Sequence, residues 1–415
     1  MTGTPVTQPR VLQARSAHGA AIHVAPLATT PLVRVHLALR VDLPTLHDLV
    51  HAEVFQANWL TTPKVTAFQR LGGAVQVARS QHWLSFAATA PSALTEQAVD
   101  AICSAAASAQ TRDDDLRQAT DRARRQARSV AVRPASITTE LVTLAVLGHI
   151  PPALSTQLTG PEWDSTTAPA IASFASRYIT GSPAHLVICG DVPPEQTLEL
   201  ACISLESVTA GTVPDPVPLL PGPVTGDGAR QEHLRTGWSV THLRYAYNGL
   251  HRSHPLFPAT LVATAALGYF SGRINVRVRE RLGLAYRTDA SPGQYFDHDM
   301  VFVEADVAPG HADTADTEIT SIVDAFADRG IEDDELDAVI SFITGQYALA
   351  LSSQAGLASA VLSYATSGIG IPQISGLPRA ISRITASQVR DAAQLVYGVG
   401  PVAHVMVRPK PSVEG

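Results

Sequence analysis

His47 and His51 are the first residues in this chain whose type and spacing could do chemistry. They stand at i and i+4 in LHDLVHAEVFQANWL, so a helix there projects both imidazoles to one side. Two histidines are half of a zinc site, which takes at least three protein ligands. Hydrolysis at such a metal also needs a carboxylate to accept a proton from the bound water. In a His-x-x-Glu-His pattern that base precedes the second histidine, and here the position is Val50. A second stretch, Ser271 to Tyr286 (SGRINVRVRERLGLAY), holds Arg279 and Tyr286 seven residues apart across a turn. Its plain reading is a solvated basic helix ending at Gly283, with Ile274, Val278 and Leu282 on one apolar face and Arg277 placed to pair with Glu280.

The surrounding pattern supplies the elements that must position these residues. Pro31 to Val41 alternates, with Val33, Val35, Leu37 and Leu39 on one side of a strand. Thr45 is placed to cap the histidine helix. Leu71 to Gly73 leads to two alternating segments, AVQVAR and HWLSFAATA. A helix is expected from Ala93 to Ala109, and TRDDDLRQATDRARRQA opens another with acids first and arginines later, the order the helix dipole favours. HLVICGDV reads as a buried strand. Residues 211–228 hold five prolines among several glycines and read as a linker.

After the linker the order of elements returns: a strand in GWSVTHLRYAYNGL, a helix from Pro258 to Arg281, strands in AYRTDA and MVFVEADVA, then a helix from Thr314 to Ala327. IEDDELDAVISFITGQY next repeats the acidic helix start. Asp113 and Asp333 are 220 residues apart, while Tyr178 and Tyr397, and His185 and His404, are each 219 apart. A register held this closely implies an internal duplication. The expected fold is α+β: two homologous halves, 1–210 and 229–415, each a mostly antiparallel sheet with helices packed on one face, joined by linker 211–228.

Hydrophobic residues make up 45% of the 415 and charged residues 16%, enough apolar side chain for a large core. A net charge of −7 without a long basic run excludes a nucleic-acid surface. Three cysteines without metal-ligand spacing point to a reducing compartment. The apolar run around Pro258 to Phe270 is too short to span a bilayer, and the first residues lack the apolar core of a secretion signal. A cytoplasmic location with no membrane partner is expected.

HDLVH followed by LGG and a strand pair, the HLVICGD strand and SGRINVRVRERLGLAY together resemble the pitrilysin/insulysin/mitochondrial-processing-peptidase family of zinc peptidases, over roughly residues 10 to 410. The last segment is similar to that family's Leu-Arg-Glu-x-x-Gly-Leu-Ala-Tyr signature. The resemblance implies that His47 and His51 fall on the histidine ligands and Val50 on the base. The third ligand, a glutamate about 75 residues past the second histidine, falls near Gln126 to Arg128, and no glutamate lies between Glu96 and Glu140. Gln126 is a weak zinc ligand. The nearby acids Asp48 and Glu53 do not hold the helical position of the base. No cofactor is therefore expected on this chain, and a self-sufficient peptidase with unorthodox ligands is disfavoured.

The resemblance also implies that Arg279 and Tyr286 reach a zinc-bound substrate and donate to its carbonyl and oxyanion, chemistry these side chains suit. The implied arrangement is a heterodimer in which a homologous subunit with an intact His-x-x-Glu-His carries the zinc. The substrate would be an unfolded peptide added to an edge strand within Ala74, Val75, Gln76, Val77 and Ala78, up to Arg79. Peptide turnover and leader-peptide removal are both open as uses. The alternative is a catalytically silent scaffold or peptide-binding homologue.

Overall fold

The structure, a computed structural model, describes residues 9–107, 113–158, 160–180, 183–206, 208, 228–269, 271–295 and 298–410. In the first half, strands β1 (Leu12–Arg15), β2 (Ala21–Pro26) and β3 (Leu32–Arg40) precede helices α1 (Leu46–Trp59) and α2 (Pro63–Arg70). The hairpin β4 (Ala74–Arg79) and β5 (Trp83–Pro91) follows, then α3 (Thr95–Ala107), α4 (Asp113–Ala131), α5 (Pro134–Leu147) and α6 (Ala168–Tyr178). β6 (Ala184–Gly190) and α7 (Pro194–Leu205) close this half. The second half runs β7 (Arg230–Arg235), β8 (Thr241–Asn248), α8 (Phe257–Gly268), β9 (Ala285–Tyr295), β10 (His298–Val307) and α9 (Ala312–Arg329). It ends with α10 (Asp333–Ser352), α11 (Gln354–Thr366), α12 (Gln373–Ile381), α13 (Ala386–Tyr397) and β11 (Ala403–Pro409). The proposed linker, except for Gly228, lies outside the described residues.

The two sheets have the orders β1-β2-β6-β3-β5-β4 and β7-β11-β8-β10-β9. Placing β7 on β2, β11 on β6, β8 on β3, β10 on β5 and β9 on β4 matches one order to the other. The pairs β2–β6 and β7–β11 are parallel and the remaining pairs antiparallel. The duplication expected from residue offsets is thus present in strand order and strand direction.

Period-two alternation decides which side of each sheet is buried. Val33, Val35, Leu37 and Leu39 of β3 are fully buried and pack in one core with α1, α3, α6 and α7. Leu243 and Tyr245 of β8 do the same with α8, α9 and α13. Thr45 caps α1 as expected, its Oγ1 accepting from Asp48 N at 3.1 Å.

The opposite faces show an exchange. α11 of the second half lies on β3 and β6 of the first, packing Leu357, Ala358 and Val361 against Ala25, Val187 and Cys189. α5 of the first half lies on β8 and β11 of the second, packing Val142 and Val146 against Ala246, Val405 and Val407. α5 and α11 hold corresponding places in the repeat, so the two halves clasp each other reciprocally. The buried Gln354 locks one arm, its Nε2 donating to Leu27 O at 2.7 Å and Thr30 O at 2.8 Å. Each fully buried aliphatic side chain in the clasp contributes roughly 1.5–3 kcal/mol.

The helix expected from Pro258 to Arg281 is instead two pieces. α8 stops at Gly268, where a Cβ would lie 2.1 Å from Ala290 N. After a turn, Asn275–Arg281 winds with i→i+5 hydrogen bonding, and Leu282 N bonds Arg277 O at 3.1 Å. This π geometry takes more residues per turn, so the 3.6-residue phase used in the sequence fails beyond Val278. Ile274 and Val278 are buried, but Leu282 is exposed. Arg277 pairs with Glu318 rather than Glu280, which accepts from Asn275 Nδ2 at 3.2 Å.

Candidate functional site

Arg279 and Tyr286 sit on either side of Gly283, whose φ of +61 permits the left-handed turn out of the π segment. The segment is braced on three sides. Arg273 forks onto Glu335 through Nε at 2.9 Å and Nη2 at 2.5 Å, and Arg277 forks onto Glu318 at 2.9 and 3.1 Å. The buried Asn275 accepts from Thr288 Oγ1 of β9 at 3.1 Å, tying the turn to the strand that carries Tyr286. Arg279 is left exposed at the end of this braced unit.

Tyr286 owes its position to a β-bulge. On β10, Val307 pairs with Ala285 and the next residue, Asp306, pairs with Arg287, so Tyr286 is the unmatched residue. A bulge turns its extra residue out of the alternation and re-aims the side chain. Ala285 is buried, whereas Tyr286 is 80% exposed. An exposed ring on a bulge has no packing role to explain it, and its hydroxyl can donate to an incoming group.

Beside the bulge runs a charged cross-strand row. Arg287 reaches Glu304 at 3.0 Å and Asp306 at 3.7 Å, and Asp306 takes His242 Nδ1 at 2.7 Å and Arg244 Nη2 at 2.8 Å. Burial raises the Asp306 pKa, but the hydrogen bond from His242 and the Arg244 guanidinium outweigh it and hold the carboxyl at about 2. Its stabilisation is therefore complete above the ordinary value of 3.8 and is lost as pH falls towards 2. Asp306→Asn should lower unfolding free energy by about 2 kcal/mol at pH 7 and by far less at pH 2, read by urea titration. An equal loss at both pH values would contradict this assignment.

The first-half residues divide into two groups. α1, β4 and α4 enclose a cleft of about 640 Å³, lined by Glu53, Gln56, Arg79, Arg122, Arg125 and Gln126 among others. Gln126 lines this cleft beside the edge strand. His47, Val50 and His51 do not line this cleft. His47 is exposed, and Val50 is fully buried in the core. His51 turns towards Phe174, at a ring distance of 6.4 Å, with Nε2 at 3.5 Å from Ser165 Oγ. Desolvation lowers its pKa. The α1 residues that do face Gln126 across the cleft are Glu53, Gln56 and Ala57.

The donors in the cleft do not fit zinc. Its one carboxylate, Glu53, is already bound by Arg79 Nε at 2.9 Å, and Gln56 Nε2 donates to Ala78 O at 2.9 Å. Three guanidinium groups line the same space, and a divalent cation would be repelled there. Among the described residues no group of three His, Cys, Asp or Glu side chains is placed to hold a metal ion.

β4 lies at the edge of its sheet, paired among the described residues only with β5. Ser80 N bonds Trp83 O at 2.9 Å, which sets the phase of the hairpin. Main-chain groups of the even-numbered β4 residues then point at β5, and those of Val75, Val77 and Arg79 point outward. Residues 74 to 79 are thus a free edge running past the cleft. The sequence reading missed Arg122 and Arg125, although with Gln126 they stand at i, i+3 and i+4 on one face of α4.

Residues 165–342 match the family model described as the peptidase M16 inactive domain. The structure is similar to the peptidase M16 inactive domain from Pseudomonas fluorescens, with a TM-score of 0.84 at 14% identity over 98% of this chain and 100% of that one. A protease from Helicobacter pylori gives 0.80 at 15% identity, over 97% and 100%. A chain of complex III2 from Candida albicans gives 0.80 at 12% identity, over 96% of both. No curated protein matches the sequence.

Proposed function

We propose that this chain is a non-catalytic, pitrilysin-type M16 protein without the zinc motif, and one subunit of a heterodimeric zinc peptidase. Its contribution is the Arg279–Tyr286 pair, offered to a homologous partner that carries the intact His-x-x-Glu-His and the zinc. The observation that carries this reading is the contrast between the two halves. The first half has a cleft whose donors reject zinc, while the second half holds a braced arginine and an exposed, bulged tyrosine. A tyrosine hydroxyl and a guanidinium donate to a peptide carbonyl and to the oxyanion that forms from it.

The substrate in this reading is an unfolded peptide in extended form, seated by strand addition. The free edge of β4 provides such a seat on this chain. Leader-peptide processing in the cytoplasm is one use consistent with that chemistry. A scaffold role is the competing reading, and the fold shared with a chain of complex III2 is the observation in its favour. It gives no reason for an oxyanion donor on a bulge.

Co-expression with a homologue bearing intact His-x-x-Glu-His tests the proposal. Peptide cleavage should come from the pair and from neither chain alone, and His47→Ala in this chain should leave the rate unchanged. Zinc-dependent cleavage by this chain alone would overturn it, as would a partner whose full activity needs no second subunit.

A further inference from the structure

We infer that the cleft beside β4 seats a carboxylate of an extended peptide, so that this chain selects acidic peptide segments. The inference rests on β4 as a peptide-binding edge and adds the chemistry of the residue accepted.

The charge balance of the lining points this way. Three guanidinium groups, Arg79, Arg122 and Arg125, face one carboxylate, Glu53. Arg79 and Glu53 satisfy each other, and Arg79 Nη1 also donates to Ala153 O at 2.5 Å. Arg122 is anchored through Nη2 alone, to Thr61 Oγ1 at 3.0 Å and Ala57 O at 3.3 Å. Its Nε is buried and has no hydrogen-bond partner among the described residues. Arg125 is exposed at the rim. The cleft therefore holds two positive charges more than it balances internally, and a buried donor left unpaired. An entering carboxylate would balance that excess with charge-assisted hydrogen bonds to the guanidinium groups that line the cleft, the strong kind.

The edge strand fixes where that carboxylate comes from. A peptide paired to the outward groups of Val75, Val77 and Arg79 places alternate side chains on one face of the sheet. Val77 and Arg79 line the cleft, so one side chain of the added strand lies over it. About 640 Å³ accommodates a glutamate or aspartate without rearrangement. A neutral side chain would fit the space but leave the guanidinium groups uncompensated.

The test uses the whole chain, purified without its partner, and fluorescence anisotropy with two extended, Thr/Val-rich peptides. Both are acetylated and amidated at their ends and differ only by Glu or Gln at the central position. The Glu peptide should bind roughly tenfold more tightly, with the margin shrinking at high salt. Arg125→Gln, on an exposed residue, should abolish most of the margin without affecting folding, and Arg122→Gln should do the same. Glu53→Gln, by releasing Arg79, should widen it. Equal binding of the two peptides to the unaltered chain overturns the carboxylate seat but leaves the β4 edge standing. A margin that survives both arginine substitutions also overturns it. Failure of both peptides to bind overturns the seat and the edge together. None of these outcomes depends on cleavage, so the subunit reading is judged separately.

Discussion

If the proposed pairing holds, Tyr286→Phe in this chain should lower the rate of peptide cleavage by the assembled pair by about 10²-fold, the effect of removing one oxyanion donor. The substitution deletes a hydroxyl and little else. The ring is 80% exposed on a bulge, so its removal from hydrogen bonding costs the fold almost nothing. The loss should fall on kcat and kcat/KM together, because an oxyanion donor acts on a charge absent from the ground state. Arg279→Ala should behave differently. A guanidinium that also holds substrate carbonyls before reaction contributes to binding, so KM rises along with the fall in kcat. Arg279→Lys should recover only part of the loss, since a point charge does not reproduce the planar fork. The unfolding transition of each variant should match that of the unaltered chain. A cleavage rate indifferent to Tyr286→Phe would remove the oxyanion role and leave the scaffold reading in its place.

Several of these features were legible in the sequence because they are periodic. The duplication was visible in offsets such as His185 to His404, and the matched strand orders follow from it. The β3 alternation and the Thr45 cap are local patterns, and both read correctly. What periodicity could not carry is the choice between equivalent faces. His47 and His51 share one side of α1, but only packing decides which side meets β4 and α4, and there the helix presents Glu53, Gln56 and Ala57. The clasp of α5 and α11 was likewise invisible, because an apolar helix does not name the sheet it covers. The π turn and the bulge are departures from regular spacing, so rules of regular spacing missed them. They are also what places Arg279 and Tyr286. The sequence singled out the arginine and tyrosine by spacing and by the family resemblance, and their setting required the structure.

Acid should unfold this protein well before its carboxylates titrate, because three histidines are held neutral on the clasped face of the first sheet. His23, Val187 and His36 form one cross-strand row on β2, β6 and β3. His185 stacks on His23 with ring centroids 5.8 Å apart. Both ring nitrogens of His23, Nε2 of His36 and Nδ1 of His185 are buried without hydrogen-bond partners among the described residues. Burial lowers all three pKa values from 6.5 to about 4, helped by Arg15 at His23, by Arg34 at His36, and by His23 and Arg15 at His185. The unfolded chain thus takes up these protons near pH 6.5 and the native state only near pH 4, so stability is complete above 6.5 and lost as pH falls through that window. Each group accounts for about 3 kcal/mol. The stacked pair is coupled, so the total is less than additive, but even two-thirds of it rivals the whole stability of a typical domain. The urea midpoint should drop steeply between pH 6.5 and pH 4.5, a range in which Asp306 is still ionised and contributes nothing to the change. His23→Leu should flatten the dependence by one proton and hold or raise stability at pH 7, since it replaces an unsatisfied polar ring with apolar atoms. A midpoint that stays level down to pH 4.5 would mean that these imidazoles accept protons in the folded state, and that the clasp of α11 over the sheet opens to let water reach them.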